Sequence, residues 1–317
     1  MFLSSPGFTP RWNNVRKTPG SPYCQCWSKI SAPRLWRQMS ACSCGEDHDV
    51  HEWKWDNPIT TGSTWVVLSD DQKQVTFHPY YSSGTATVRG DTPMLLNHHY
   101  YWEIKMLTDT YGTDIMVGLG TNKVNISGSQ FEFTSLLGQD EESYGLSYLG
   151  KVRHNAAVVK RTHGFCRGTI IGVKVDLWAG TLEFFINRKS QGISSHNLRR
   201  HQALYPMISS TAAQSSMRLI YSASWKASLL VDAARILGAT VTEERKPRIP
   251  PGLWNTLKSQ FWMTLPTHII DDNEEDHEEI QSDIRDDNVL SEVMPSQYAN
   301  GFYIDNVERD YRIVVRE

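Results

Sequence analysis

The stretch from Thr169 to Ile193, TIIGVKVDLWAGTLEFFINRKSQGI, constrains the fold more than any other part of the chain. Ile171, Val173 and Val175 alternate with Ile170, Gly172 and Lys174, the period of two that marks a half-buried strand. Asp176 to Gly180 supplies a turn in which Gly180 is free to take a positive φ. Leu182, Phe184 and Ile186 then fall on one face, and Thr181, Glu183 and Phe185 on the other. Asn187-Arg188-Lys189-Ser190 turns the chain again, and Gly192-Ile193 starts a further short strand. No helix accommodates this pattern. A hairpin with one apolar face has to lay that face on a second layer, so the stretch demands a layered β architecture.

Similar runs recur from His51 onward. Trp53-Lys54-Trp55-Asp56 opens the series, and Trp65-Val66-Val67-Leu68 and Val75-Thr76-Phe77 follow around the turn Ser69-Asp70-Asp71. Thr85-Ala86-Thr87-Val88, Tyr100 to Lys105, the mostly apolar Ile115 to Gly120, Tyr144 to Tyr148, Leu204 to Ser209 and Met217 to Ile220 complete it. Many short strands punctuated by turns, with almost no helical period, predict a sandwich. Eleven tryptophans in 317 residues suit its core and a recognition surface. A formal net charge of -3 offers no general basic face to a nucleic acid, and no apolar run approaches the ~20 residues that span a bilayer.

The order of these runs resembles the SPRY domain, an antiparallel β-sandwich used for protein recognition. The phrases YYWEI, VGLG, SYGLSYLG, DLWAGTLEFFINRK and LYPMISS carry the resemblance in register. The longer phrases YGTDIMVGLGT, SLLGQDEESYGLSYLG and YPMISSTAAQSSM look like one branch of the SPRY domain-containing SOCS box proteins. The resemblance implies a mainly β chain, with the SPRY-type sandwich over residues 51–224 and a small α-helical SOCS box over 225–265.

The residues after the sandwich change period. Leu229, Ala233 and Leu237 stand at i, i+4 and i+8, with Leu230 and Ile236 widening the stripe and Asp232 and Arg235 expected to face away. A second helix is expected from Pro250-Pro251-Gly252, with Leu253, Leu257 and Phe261 as its stripe, flanked by Trp254 and Trp262. Burying one Leu is worth ~1.5–3 kcal/mol, so these faces need a cover. They either pack back onto the sandwich or dock a partner, and the resemblance favours the partner.

The family implies an adaptor that catalyses nothing itself: a sandwich that binds a target, and a SOCS box that recruits a ubiquitin ligase. Its elongin motif, Ser/Thr-Leu, three residues, Cys, three residues and an apolar residue, maps onto Ser228, Leu229, Ala233 and Leu237, with Ala233 in place of the usual Cys. Elongin B and elongin C are the partners this implies. The segment that selects cullin-5 and its RING-box protein keeps only Ile249 and Pro250 of its pattern. By register, the target-peptide positions are Pro79, Tyr81, Ser83, Gly112, Phe133, Leu136, Thr211 and Ala212. Gly112 and Leu136 agree with the relatives, Phe133 keeps an aromatic ring, and Pro79 and Thr211-Ala212 depart from them. The implied ligand is a short, Asn-containing target segment, with a preference altered at those positions. Phe133 and Leu136, between Gly128 and Gly138, are expected to stand exposed on a loop.

Residues 1–50 read as a disordered, Cys-bearing arm. The first 45 residues lack Asp and Glu, like a mitochondrial transit peptide, but Pro6, Pro10, Pro19 and Pro22 oppose the amphipathic helix such a peptide needs. Cys24-Gln25-Cys26 and Cys42-Ser43-Cys44 could supply a tetrahedral zinc site, yet usual spacings leave two or more residues between paired cysteines. No metal or other cofactor is expected. Five cysteines, an odd number, also argue against a secreted disulfide framework and for a cytoplasmic or nuclear setting. Residues 266–317, with the acidic run from Asp271 to Asp287, read as a solvated tail.

Nothing in the sequence carries a catalytic signature: G-x-S-x-G, Walker A and H-E-x-x-H are all absent. Gly118-Leu119-Gly120 lacks the third glycine and the helix of a dinucleotide loop. His98 and His99 are expected on a surface loop, Asp114 and Asp176 at strand ends bonding turn backbone, and Cys166 has no assignable base.

Overall fold

Ile171, Val173 and Val175 are fully buried in one core with Leu182, Phe184 and Ile186, as their alternation requires. The structure, a computed structural model, describes residues 21–24, 26, 42–56, 65–240, 250–252, 254 and 255. Its strands are β1 (Val66–Leu68), β2 (Gln74–Phe77), β3 (Ala86–Arg89), β4 (His98–Met106), β5 (Ile115–Gly120), β6 (Ser143–Ser147) and β7 (Lys151–His154). They continue as β8 (Ala157–Arg161), β9 (Ile170–Asp176), β10 (Thr181–Ile186), β11 (Lys189–Ser195), β12 (Tyr205–Ser210) and β13 (Ser215–Lys226), followed by helix α1 (Leu229–Thr240). Two antiparallel sheets result: seven strands in the order β1-β2-β13-β4-β9-β10-β11, and six in the order β3-β12-β5-β6-β7-β8. They close face to face on a core that includes Trp55, Phe77, Trp102, Ile104, Val117, Leu146 and Ile208.

Two sequence details fix the pairing locally. Asn187 and Arg188 both adopt positive φ (51° and 66°), the conformation a two-residue hairpin loop needs, and Gly180 takes φ 75° in the preceding turn. On β5, every residue is buried, and a Cβ at Gly118 would collide with the Tyr144 carbonyl of the neighbouring strand. The hairpin β7–β8 was not marked by the sequence. β8 is an edge strand whose residues are mostly exposed, so it shows no apolar alternation.

The outer face of the seven-stranded sheet corrects two expectations. His99 is not a surface loop residue: it lies within β4 and is almost completely buried. Along β4, Trp102, Ile104 and Met106 enter the core between the sheets, and the alternate residues Tyr101, Glu103 and Lys105 are also buried although they lie outside that core. Something covers them. At one end it is α1. At the other it is the N-terminal segment, whose described residues are docked rather than disordered.

The docking is built from specific bonds. Tyr23 N–H donates to the Gly168 carbonyl at 2.9 Å, and Asn187 Nδ2 donates to the Ser21 carbonyl at 2.7 Å. Arg188 forms a fork on Glu103 (3.0 Å through Nε to Oε1 and 3.0 Å through Nη2 to Oε2) and donates to the Gly45 carbonyl at 2.8 Å. Tyr101 adds its hydroxyl to Glu103 at 2.8 Å. Burial pushes the Glu103 carboxyl up, while the Arg188 guanidinium and the Tyr101 hydroxyl hold it down. Charge spacing alone could not reveal this pair, since its members are far apart in sequence and meet only across the sheet.

Candidate functional site

Four loops meet at one end of the sandwich, and backbone and hydroxyl groups hold them there. Ser82 Oγ donates to the Thr211 carbonyl at 2.7 Å, joining the β2–β3 loop to the β12–β13 loop. Tyr148 OH donates to the Gly112 carbonyl at 3.0 Å, and Tyr111 OH donates to the Ala213 carbonyl. Thr85 ties in the β5–β6 loop, accepting from Thr134 N–H at 3.0 Å and donating to the Glu132 carbonyl at 2.6 Å.

Asp114 is the hub of these loops. Its carboxylate accepts from Ser135 and Ser147 hydroxyls, each at 2.6 Å, and from Ile115 N–H at 2.9 Å, while its own N–H donates to Thr211 Oγ1 at 3.0 Å. Burial raises the Asp114 pKa, opposed by the Ser135 and Ser147 hydroxyls, the Ile115 amide and the positive charge of Arg153. Asp114 stands at a strand end as expected, but it bonds hydroxyls and the first amide of β5 rather than turn backbone. That role falls to Asp176, which accepts from the Trp178 and Ala179 N–H groups at 2.9 and 2.8 Å.

The positions marked by register lie on these loops with unequal exposure. Tyr81 and Phe133 stand out, 65% and 53% exposed, and Gly112 is exposed with φ 83°. Pro79 and Ser83 are half-buried. Leu136, expected to be exposed, is only 6% exposed and packs beneath the loop; Thr211 and Ala212 are buried as well. A residue three positions from Phe133 in a loop held by Thr85 and Asp114 turns inward, which no period of two or 3.6 forecasts. The side chains that reach solvent are chiefly aromatic: Tyr80, Tyr111 and Phe131 join Tyr81 and Phe133. Those first three were missed by the register argument, although loop-borne aromatics between strands are themselves a signal.

Helix α1 has two apolar faces. Val231, Ala234 and Leu237, together with Trp225 and Trp254, pack on Tyr101, Phe185, Tyr221 and Ala223 of the sheet. Leu229 and Leu230 are 86% and 76% exposed, and Ala233 is exposed beside them. Leu237 therefore lies on the covered face, not with Leu229 and Ala233. Asp232 and Arg235 do not face away from the sandwich. His99 sits between two carboxylates, Nδ1 to Asp176 Oδ2 at 3.3 Å and Nε2 to Asp232 Oδ1 at 3.2 Å, and Arg235 reaches Asp176 at 3.5 Å. These polar groups pin the helix, so the single wide stripe read from the sequence is divided between the sandwich and solvent. Pro251 and Trp254 belong to a following helical segment; Pro250 is exposed, and Ile249, Leu253, Leu257, Phe261 and Trp262 lie outside the described residues.

The anchor is expected to respond to pH. Burial alone would raise the Asp176 pKa, but His99, the Ala179 amide and Arg235 together bring it down to about 2. A carboxylate depressed in the folded state contributes stability that is complete above its unfolded value and lost as pH falls through the folded one. Lowering pH from 5 to 2 is expected to loosen α1, read as a change in the fluorescence of Trp225 and Trp254. Asp176→Asn should flatten that transition.

The SPRY domain profile matches residues 99–223. SPRY domain-containing SOCS box protein 3 of Xenopus laevis is 40% identical over 254 residues, covering 78% of this chain and 69% of that protein. The protein of the same description from Xenopus tropicalis matches with the same identity and coverage. Among solved structures, the SPRY domain of human HERC1 is 16% identical, with a TM-score of 0.41, covering 49% of this chain and 91% of that one.

Proposed function

Because the chain belongs to the SPRY domain-containing SOCS box protein family, we propose that it is a substrate-recognition adaptor of a ubiquitin ligase. In this reading the aromatic loops around Asp114 hold a short target segment, and α1 presents Leu229 and Ala233 to elongin C, which brings elongin B. The chain performs no covalent chemistry. It raises the effective concentration of target lysines near a ubiquitin-conjugating enzyme.

The observation that carries the reading is the division of α1. Packing on the sheet is satisfied by Val231, Ala234 and Leu237, and still Leu229 and Leu230 stand in solvent next to the small Ala233. A helix serving only the sandwich has no use for two exposed leucines at its start. Cullin-5, through Ile249 and Pro250, is the proposed scaffold, and the proposed setting is cytoplasmic or nuclear. Co-expression with elongins B and C tests the adaptor: a stable ternary complex supports it. A monomeric chain in their presence supports the other reading, a SPRY interaction scaffold with no ligase attached.

The target surface has its own test. Phe133→Ala is expected to cost about 2 kcal/mol of target-peptide binding, roughly thirtyfold in affinity, if this ring is an anchor. The melting temperature should hardly move, since the ring is half out of the fold. Leu136→Ala should do the reverse, losing about 2–5 kcal/mol of stability because its side chain is buried. Titration of an Asn-containing peptide captured by the wild-type chain, with thermal melts of both variants, separates the two roles.

A further inference from the structure

The described N-terminal segments bring together four sulfurs that the sequence holds in two distant pairs. Cys24 Sγ lies 3.5 Å from Cys42 Sγ, Cys26 Sγ lies 3.5 Å from Cys44 Sγ, and all four fall within 4.8 Å of one another. Four thiolates around a zinc ion at ~2.3 Å from each sulfur stand ~3.8 Å apart, close to this arrangement. A disulfide requires ~2.0 Å and one fixed dihedral for each pair. We propose that Cys24, Cys26, Cys42 and Cys44 form a structural zinc site that clasps the N-terminal segment onto the seven-stranded sheet.

Backbone amides point at two of the four sulfurs. In each Cys-x-Cys pair the second amide donates to the first sulfur: Cys26 N–H to Cys24 and Cys44 N–H to Cys42. The two halves thus repeat one small motif, and this local bond allows a spacing of one residue where longer knuckles use two or more. Gly45 follows at φ 84°, closing a turn in which Glu46 N–H donates to the Ser43 carbonyl at 2.9 Å. Cys42 is buried.

Lys105 is the second, independent observation. It projects from the outer face of β4, the central strand of the seven-stranded sheet, near the end of that strand. Its side chain is 0% exposed although it lies outside the core between the sheets. Its ammonium donates to the Cys42 carbonyl at 2.7 Å and the Cys44 carbonyl at 2.9 Å, and lies 3.5 Å from Cys42 Sγ. One carboxylate, Glu46, reaches it at 3.3 Å, and Arg218 shares that carboxylate at 3.0 Å. A fully buried cation needs compensating negative charge. Four thiolates with one zinc ion carry a net charge of -2, and they place it beside this ammonium. On binding, four S–H bonds break, four protons leave to solvent, and four Zn–S bonds form with no change of oxidation state.

The site covers the outer end of Lys105, while α1 covers Tyr101 and His99 on the same strand. The inference does not depend on elongin binding, and its test uses the full chain alone. Purified from zinc-supplemented medium, the wild-type chain should carry about one zinc per molecule, as should Cys166→Ser. Cys24→Ser and Cys42→Ser should each lose most of it. Because Cys42 is buried and its loss threatens folding, the wild-type chain reconstituted with Co²⁺ provides a second reading: intense sulfur-to-cobalt charge-transfer absorption is expected. Zinc-free wild-type protein in which all five thiols, the four of the site and Cys166, titrate freely would overturn the site. So would two disulfides found by mass spectrometry, or full zinc retention in Cys24→Ser.

Discussion

Leu229→Asp is expected to abolish capture of elongins B and C while leaving the chain folded. Leu229 is 86% exposed at the start of α1, and the helix is held to the sheet by other residues, Val231, Ala234 and Leu237. An exposed substitution away from such contacts changes stability by ~0.5 kcal/mol or less. In a docked complex the same position would place an unpaired carboxylate in an apolar pocket, which costs about 3 kcal/mol or more, over a hundredfold in affinity. Ala233 one turn on is too small to compensate. Ala234→Asp supplies the contrast: it buries charge against Tyr101 and Phe185, so the melting temperature should fall before any partner is added. Pull-down with purified elongins and thermal melts on the two variants read both effects. Undiminished capture by Leu229→Asp would remove elongin docking from this helix.

Asp114→Ala is expected to cost on the order of 3 kcal/mol and to disrupt the proposed target surface at the same time. The carboxylate satisfies Ser135, Ser147 and Ile115, all beside or within loops that bear the aromatic rim, and the alanine would leave these donors without their acceptor. Unsatisfied buried donors cost ~1–3 kcal/mol each before water relieves them. For a domain of this size, 3 kcal/mol corresponds to about 6–12 °C in melting temperature. Asp114→Asn keeps one acceptor oxygen and should lose less. Because burial raises this carboxyl's pKa, the pH-dependent part of its contribution runs opposite to that of Asp176. It is complete below the unfolded value and lost as pH rises through the folded one, while the hydrogen bonds that it accepts are kept. Wild-type stability for Asp114→Ala in chemical denaturation would show that the loops are held without this hub.

The distinction between these two variants reflects separate layers of the molecule. The aromatic loops sit at one end of the sandwich and are organised through Asp114, whereas α1 lies on the outer face of the seven-stranded sheet and is organised through His99, Asp176 and Arg235. Damage to one should leave the other measurable, so target binding and partner capture can be scored in the same protein.

The sequence by itself determined what repeats along the chain. The two-residue alternation of Ile171, Val173 and Val175 against Leu182, Phe184 and Ile186 specified a hairpin and its inward face, because neighbouring side chains on a strand point oppositely whatever they pack against. The turns at Gly180 and Asn187-Arg188 were legible for the same local reason, as was the existence of a helix after the sandwich. Tertiary structure alone decided what meets across the sheet. His99 looked like a loop residue until the pleat of β4 placed it between Asp176 and Asp232, and that contact turned Asp232 and Arg235 inward and divided the stripe of α1. Leu136 and Phe133 were equivalent as apolar loop residues until the hydrogen bonds that Thr134 and Ser135 donate to Thr85 and Asp114 fixed the loop, burying one and exposing the other. The four cysteines and Lys105 are further still from any local rule. Contacts separated by 18 and 63 positions are set by where strands and docked segments end in space, and only the closed sandwich provides the surface that assembles them.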